Sequence, residues 1–117
     1  MQSKLWLTIV GCFALTIVSA QQKGYYRTPA IYQNIVIFTA EGDLWKYDLN
    51  SSSASRITTH QGVEINPVIS PDGKQVAFLA QYEGPTEVYL MDINGGVPRR
   101  LTYNFGRGAQ LSAWTRN

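Results

Sequence analysis

His60 is the only histidine of the 117-residue chain, and it lies in the polar run "TTHQG". Nucleophilic catalysis would need that imidazole within hydrogen-bond reach of an activated serine, with a carboxylate to orient it. No G-x-S-x-G turn occurs in the sequence, so no strand-to-helix elbow lifts a serine hydroxyl toward a base. One histidine among dispersed carboxylates is also a poor metal-ligand set, and His60 reads as a solvated loop residue. "GRG", Gly106 to Gly108, lacks the spacing and the following helix of a phosphate-cradling loop. Tyr25, Tyr26, Tyr32, Trp45, Tyr47, Tyr82, Tyr89, Tyr103 and Trp114 could offer a platform for a sugar or a peptide. Trp45, Tyr89 and Trp114, however, fall where strands need bulk for packing. Tyr25, Tyr26 and Tyr82 lie near loops and are expected to be more exposed. No catalytic, cofactor-binding or metal-ligating residue is assigned, and no cofactor is expected.

The N-terminus reads as an export signal. Lys4 and the initiator amine precede a 14-residue apolar run, "LWLTIVGCFALTIV", whose last residue, Val18, stands with Ala20 at the small-residue positions suited to a signal peptidase. The run would span about 21 Å as a helix, short of the roughly 30 Å of bilayer hydrocarbon. Cleavage is expected near Ala20, and the product is expected in the periplasm or outside the cell. "IVGC" resembles a lipobox, but "FALTIV" continues the apolar run past Cys12, which argues against lipidation. Removing the signal removes the only cysteine, so the exported chain is held together by packing alone. From Gln21 onward nine Lys and Arg face eight Asp and Glu, and only Arg99-Arg100 are adjacent. A net charge of +1 so evenly spread offers no nucleic-acid footprint and, once the signal is gone, no membrane-binding surface.

The elements that must position any site are short strands. "NIVIFTA" (Asn34 to Ala40) is an apolar β-rich run, and "DLWKYDL" (Asp43 to Leu49) alternates, with Leu44 and Trp45 on opposite sides. "EGD" between them is a hairpin signal, because Gly42 takes a positive φ at little cost. "NSSSAS" (Asn50 to Ser55) reads as a polar loop and "RITT" (Arg56 to Thr59) as the next strand. No segment after the signal sustains a helical period, so the chain is all-β.

The pattern then repeats. Phe38 aligns with Phe78 at an offset of 40; Trp45 with Tyr89, Asp48 with Asp92, and Arg56-Ile57-Thr58 with Arg100-Leu101-Thr102 at 44. The length difference is confined to one hairpin, "QYEGPT" in place of "EG". "TPAIYQN" and "NPVISPDGK" lead into the two copies, and "QLSAWTRN" begins a third, with Trp114 and Thr115 in the places of Ile69 and Ser70. In "SPDGK", Pro71 presets a turn and Gly73 takes the left-handed position; "MDINGG" turns the chain again before "RRLT". There Leu101 is expected to pack inward, with Arg100 and Thr102 facing out.

A period of about 40 to 45 residues with four short strands per unit is that of a β-propeller blade. The expected organisation is a signal at 1–20, blades at 21–60 and 61–104, and the truncated start of a third at 105–117. Two blades leave sheet faces and edges open. Such a piece is expected to need further blades, or contacts with another copy, to close.

Family resemblances rest on two stretches. "SPDGKQVAFLAQYEGPTEVYLMDINGGVPRRLT" resembles the propeller repeat shared by TolB, tricorn-type peptidases and related periplasmic proteins. "GYYRTPAIYQNIVIFTAEGDLWKYDL" (Gly24 to Leu49) is similar to the start of the tricorn-type propeller, and "THQGVEINPVISPDG" to its first inter-blade crossing. The resemblance implies a ring of six blades at the front of a large serine peptidase, with the catalytic serine and histidine far downstream. This chain would then contribute scaffold and access for peptide substrates, not cleavage. Alternatives are a TolB-like protein-binding module and a propeller attached to an amidohydrolase-type metal enzyme. A catalytic serine-peptidase region beyond residue 117, four more blades alone, or histidine-rich metal motifs would discriminate the three.

Overall fold

Short apolar runs broken by Gly-, Asp- and Asn-bearing turns fold as consecutive hairpins. The computed structural model describes residues 27–105 and 110–115. The first sheet holds β1 (Arg27–Tyr32), β2 (Ile35–Ala40), β3 (Asp43–Asp48) and β4 (Ser53–Arg56). The second holds β5 (Glu64–Ile69), β6 (Gln75–Ala80), β7 (Glu87–Asp92) and β8 (Arg99–Arg100). Each is a four-stranded antiparallel meander in chain order, and no helix is present among the described residues. The protein is all-β. The export signal read at 1–20 lies outside the described residues.

The repeat read from the sequence recurs as register. Phe38 lies opposite Trp45 and Trp45 opposite Arg56; Phe78 lies opposite Tyr89 and Tyr89 opposite Arg100. The leading strands share a further device. β1 is bulged between Arg27 and Ala30, and β5 between Ile65 and Val68. Thr28 (φ 46°) and Asn66 (φ 55°) take left-handed conformations there, each just before a proline. Proline has no N–H to give a ladder, so a bulge is where a strand tolerates it.

The turns are held by side chains. Asp48 Oδ1 accepts the Asn50 amide at 2.8 Å, and Asp92 Oδ1 accepts the Asn94 amide at 2.8 Å. In the β5–β6 turn the Ser70 hydroxyl donates to Asp72 Oδ1 at 2.6 Å and accepts the Gln75 amide at 3.0 Å. Gly73 (φ 72°) completes that turn directly beneath the Tyr32 ring.

Two expectations are corrected. β4 spans Ser53–Arg56, not Arg56 to Thr59, so half of the expected polar loop is strand. The Asp48 carboxylate closes the preceding turn early, and pairing resumes with Ser53 opposite Asp48. Leu101 is 42% exposed, while Arg100 and Thr102 turn toward Glu87. Its repeat counterpart Ile57 is only 8% exposed, because the second sheet covers it. No sheet among the described residues covers Leu101 in the same way.

The core lies between the sheets. Ile37, Leu44 and Ile57 from the first interlock with Val76, Phe78, Ala80, Tyr89, Met91 and Ile93 from the second. β5 runs against β1, β2 and β3. On the far side of the first sheet, Pro29, Val36, Phe38, Tyr47 and Ala54 line an open apolar concavity of about 440 Å³. Residues 110–115 form no strand but lie against β5: Asn66 Nδ2 donates to the Leu111 carbonyl at 2.9 Å, and Trp114 Nε1 to the Val68 carbonyl at 3.1 Å.

Candidate functional site

Polar chemistry gathers at the junction between the sheets and along their leading strands. At the junction, the Leu44 amide donates to Thr58 Oγ1 at 2.8 Å, and the Thr58 hydroxyl donates to Glu64 Oε2 at 3.0 Å. Tyr82 donates its hydroxyl to Glu64 Oε1 at 2.6 Å. The Glu64 amide donates to the Gly42 carbonyl at 2.9 Å, so the backbone of this residue ties the start of β5 to the β2–β3 turn while its side chain holds Thr58 and Tyr82. Glu64 is fully buried. Burial, aided by the nearby Asp43 carboxylate, pushes its carboxyl up to about 7, against the pull of the Tyr82 and Thr58 donors.

Among the described residues no ion pair reaches Glu64. Arg56 Nη1 lies 3.2 Å from Asp43 Oδ2 and stacks over Trp45, with 5.5 Å between guanidinium carbon and ring centroid. Tyr82 packs on His60 (centroids 3.8 Å apart) and on Tyr89 (4.6 Å), and burial raises its hydroxyl above the ordinary tyrosine range. His60 and Tyr82, with Ile57, Thr58, Val97 and Pro98, line a cavity of about 300 Å³.

The second sheet carries a related cluster with opposite electrostatics. The Val88 amide donates to Thr102 Oγ1 at 2.9 Å, and the Thr102 hydroxyl donates to Glu87 Oε2. Asn104 and Phe105 amides reach Glu87 at 2.6 and 3.2 Å, and Arg100 Nη2 lies 3.3 Å from Glu87 Oε1. The Thr102 hydroxyl above all, with those amides and Arg100, holds the Glu87 carboxyl below its usual range.

Along the leading strands, repeat-related positions are bonded to one another. The Asn66 amide donates to Thr28 Oγ1 at 3.2 Å, and its side chain reaches Leu111. Arg27, Thr28, Ile65, Asn66, Thr86 and Gln110 surround a cavity of about 360 Å³. Ile65 and Leu79 give that cavity an apolar floor, and the Asn66 amides and the Thr28 and Thr86 hydroxyls at its edge are already bonded within the chain. No group of three His, Cys, Asp or Glu that could hold a metal occurs among the described residues.

Comparison with known proteins decides the family. Residues 23–117 match the family described as the tricorn protease N-terminal beta propeller domain. The chain belongs to that family. A Tricorn-like protease N-terminal subunit of Sulfurisphaera tokodaii is 34% identical over 96 residues, covering 79% of this chain and 48% of that protein. The tricorn protease homolog of Saccharolobus solfataricus is 32% identical over 106 residues, or 87% of this chain and 10% of the homolog. The chain thus spans about half of one relative and a tenth of the other. The crystal structure of the tricorn protease superposes with a TM-score of 0.64 at 30% identity, over 71% of this chain and 8% of that one. TolB from Acinetobacter baumannii gives a TM-score of 0.69 at 24% identity, over 79% of this chain and 24% of that one, a likeness of fold alone.

In this tricorn-family propeller, the residues weighed from sequence divide. His60 is exposed as expected, yet its ring lies on Tyr82 and its Nδ1 accepts the Gly62 amide at 3.0 Å. Tyr82 corrects its expectation: it is half-buried at the junction, because its ring completes an aromatic cluster and its hydroxyl answers Glu64. Tyr89 is buried, and Trp45 and Trp114 are partly so. Tyr25 and Tyr26 lie outside the described residues. Sequence reasoning missed Glu64. Its only trace was an acid opening a mostly apolar strand, "EINPVI", which periodicity treats as a strand boundary.

Proposed function

We propose that this chain forms the opening blades of the propeller of an exported tricorn-type serine peptidase, where it admits and guides peptides and does not cut them. The family match over residues 23–117 carries the reading. The mainly apolar cavity edged by Arg27, Asn66 and Gln110 supplies a surface that a peptide could cross. The charged start, apolar run and small-residue exit of residues 1–20 support export to the periplasm or beyond. The sheets at 27–56 and 64–100 act as two blades, completed by further blades or another copy, and peptides are the substrates of the whole assembly.

Site-specific photocrosslinking in the protein as cells make it tests this. A photoreactive residue in place of Gln110 should capture an unstructured peptide in transit, and one in place of Ser53 on the exposed β4 should not. Equal capture at both positions would remove the guiding role. Cleavage of peptides by the purified 117-residue chain, blocked by a serine-directed inhibitor, would overturn the assignment of access without catalysis.

A further inference from the structure

The cavity between the leading strands differs from the blade junction in what its polar groups have left to give. Thr28 Oγ1 accepts the Asn66 amide, Asn66 Nδ2 donates to the Leu111 carbonyl, and Thr86 Oγ1 accepts from Gln81 Nε2 at 3.0 Å. Arg56 is held by Asp43, and Arg100 by Glu83 and Glu87. Arg27 and Gln110, both exposed, make no side-chain hydrogen bond or ion pair among the described residues. No Asp or Glu lines the cavity, so nothing in it offsets the Arg27 guanidinium.

Below that rim the lining is apolar. Ile65, 39% exposed, lies opposite the buried Leu79 in the β5–β6 ladder. Apolar area left open there gains by being covered with another apolar group. At about 360 Å³ the cavity is at the small end of ligand pockets, with room for side chains and none for a folded partner. A ligand answering both features carries a carboxylate for the planar guanidinium and an aliphatic group for the floor. In an extended peptide successive side chains point to opposite sides, so residues two apart face the same way, about 7 Å from each other.

We propose that this cavity is a recognition subsite for an extended peptide segment in which an acidic and an aliphatic side chain stand two residues apart. Arg27 holds the carboxylate, Ile65 and Leu79 take the aliphatic group, and the Gln110 amide is free to bond the backbone between them. A segment with a cation in place of the acid meets an unopposed guanidinium and is turned away. This subsite, which rests on the peptide-guiding reading, gives it a sequence preference.

NMR titration of the full chain with peptides blocked at both ends, so that only a side chain supplies the carboxylate, tests the subsite. Acetyl-Ala-Asp-Ala-Leu-Ala-amide or its reversal, acetyl-Ala-Leu-Ala-Asp-Ala-amide, should shift the Arg27 Nε–H resonance and the Ile65 and Leu79 methyls. Binding should be about threefold or more tighter than with Lys replacing Asp or Ser replacing Leu. Arg27→Glu, at an exposed position, should reverse the preference toward the Lys peptide. Absence of these shifts with both peptides, or a charge preference that Arg27→Glu leaves unchanged, would overturn the subsite. Capture at position 110 with no preference for acidic segments would also remove the subsite while leaving the guiding role. An acid preference reversed by Arg27→Glu, in a protein that cuts no peptide as cells make it, would keep the subsite and remove the peptidase.

Discussion

Thr58 and Thr102 hold the same place in successive sheets, yet their hydroxyls serve different purposes. Each accepts one strand amide, from Leu44 at 2.8 Å and from Val88 at 2.9 Å, and each donates to a buried glutamate. Glu87 belongs to the same sheet as Thr102, so that clasp is internal. Glu64 opens the next sheet, so the Thr58 clasp crosses the blade junction.

Thr58→Val should therefore leave the Leu44 amide and one Glu64 oxygen unanswered, costing about 1–3 kcal/mol. Thr58→Ser, which keeps the hydroxyl, should recover most of that loss. Urea midpoints at an unchanged m-value would show it. A valine variant as stable as the parent would show that Thr58 bonds nothing of consequence.

The two glutamates should pull stability in opposite directions with pH. Glu64 carries a folded value raised from 4.5 to about 7, so the folded state holds its proton more tightly. Its contribution is complete below about 4.5, declines as pH rises, and is gone above about 7, a change of up to about 3 kcal/mol. Glu87 is held below its ordinary value of 4.5, so its contribution is present above that value and is lost as pH falls through the folded one. Melting curves across pH should show Glu64→Gln flattening the neutral limb and Glu87→Gln the acid limb. Identical profiles for both variants would contradict the assignment.

Gly73→Ala should be strongly destabilising, because an added Cβ would stand 2.2 Å from Tyr32 Cε1 at a φ of +72°. The left-handed backbone alone accounts for about 1–2 kcal/mol. In a Tyr32→Ala background the steric part should vanish and only the backbone part remain. Additive costs in that double-mutant cycle would mean that Tyr32 does not press on the turn.

Ile57→Ala should cost about 2–5 kcal/mol, since it opens a hole in the shared core. Leu101→Ala, at the repeat-related but 42% exposed position, should cost well under half as much. Chemical denaturation of the two variants side by side compares them directly. Equal losses would mean that Leu101 is covered as thoroughly as Ile57.

Much of the fold was legible because hairpins are local. The alternation around Leu44 and Trp45, the turn residues at Gly42 and Gly73, and the offsets linking Trp45 to Tyr89 all recur as strands, turns and register. The bounds of β4 were not legible, because a single side chain, Asp48, shortens a turn that composition alone makes long. Nor was the exposure of Leu101, because a residue's burial at a sheet face depends on the neighbouring sheet, and no pattern within its own strand records that neighbour.

By itself, then, the sequence determined an all-β chain of repeated four-stranded units with tricorn-type motifs, since period, turn chemistry and motif residues act over a few positions. Only the tertiary structure decided that Glu64, Tyr82 and Thr58 meet. Glu64 and Tyr82, 18 residues apart, meet within the second sheet and Thr58 and Leu44, 14 apart, within the first, and the Thr58–Glu64 bond joins the two pairs only where the sheets meet. The charge state of a carboxyl follows from how completely its neighbours exclude water and which donors they present. That property belongs to the junction and to no residue within it.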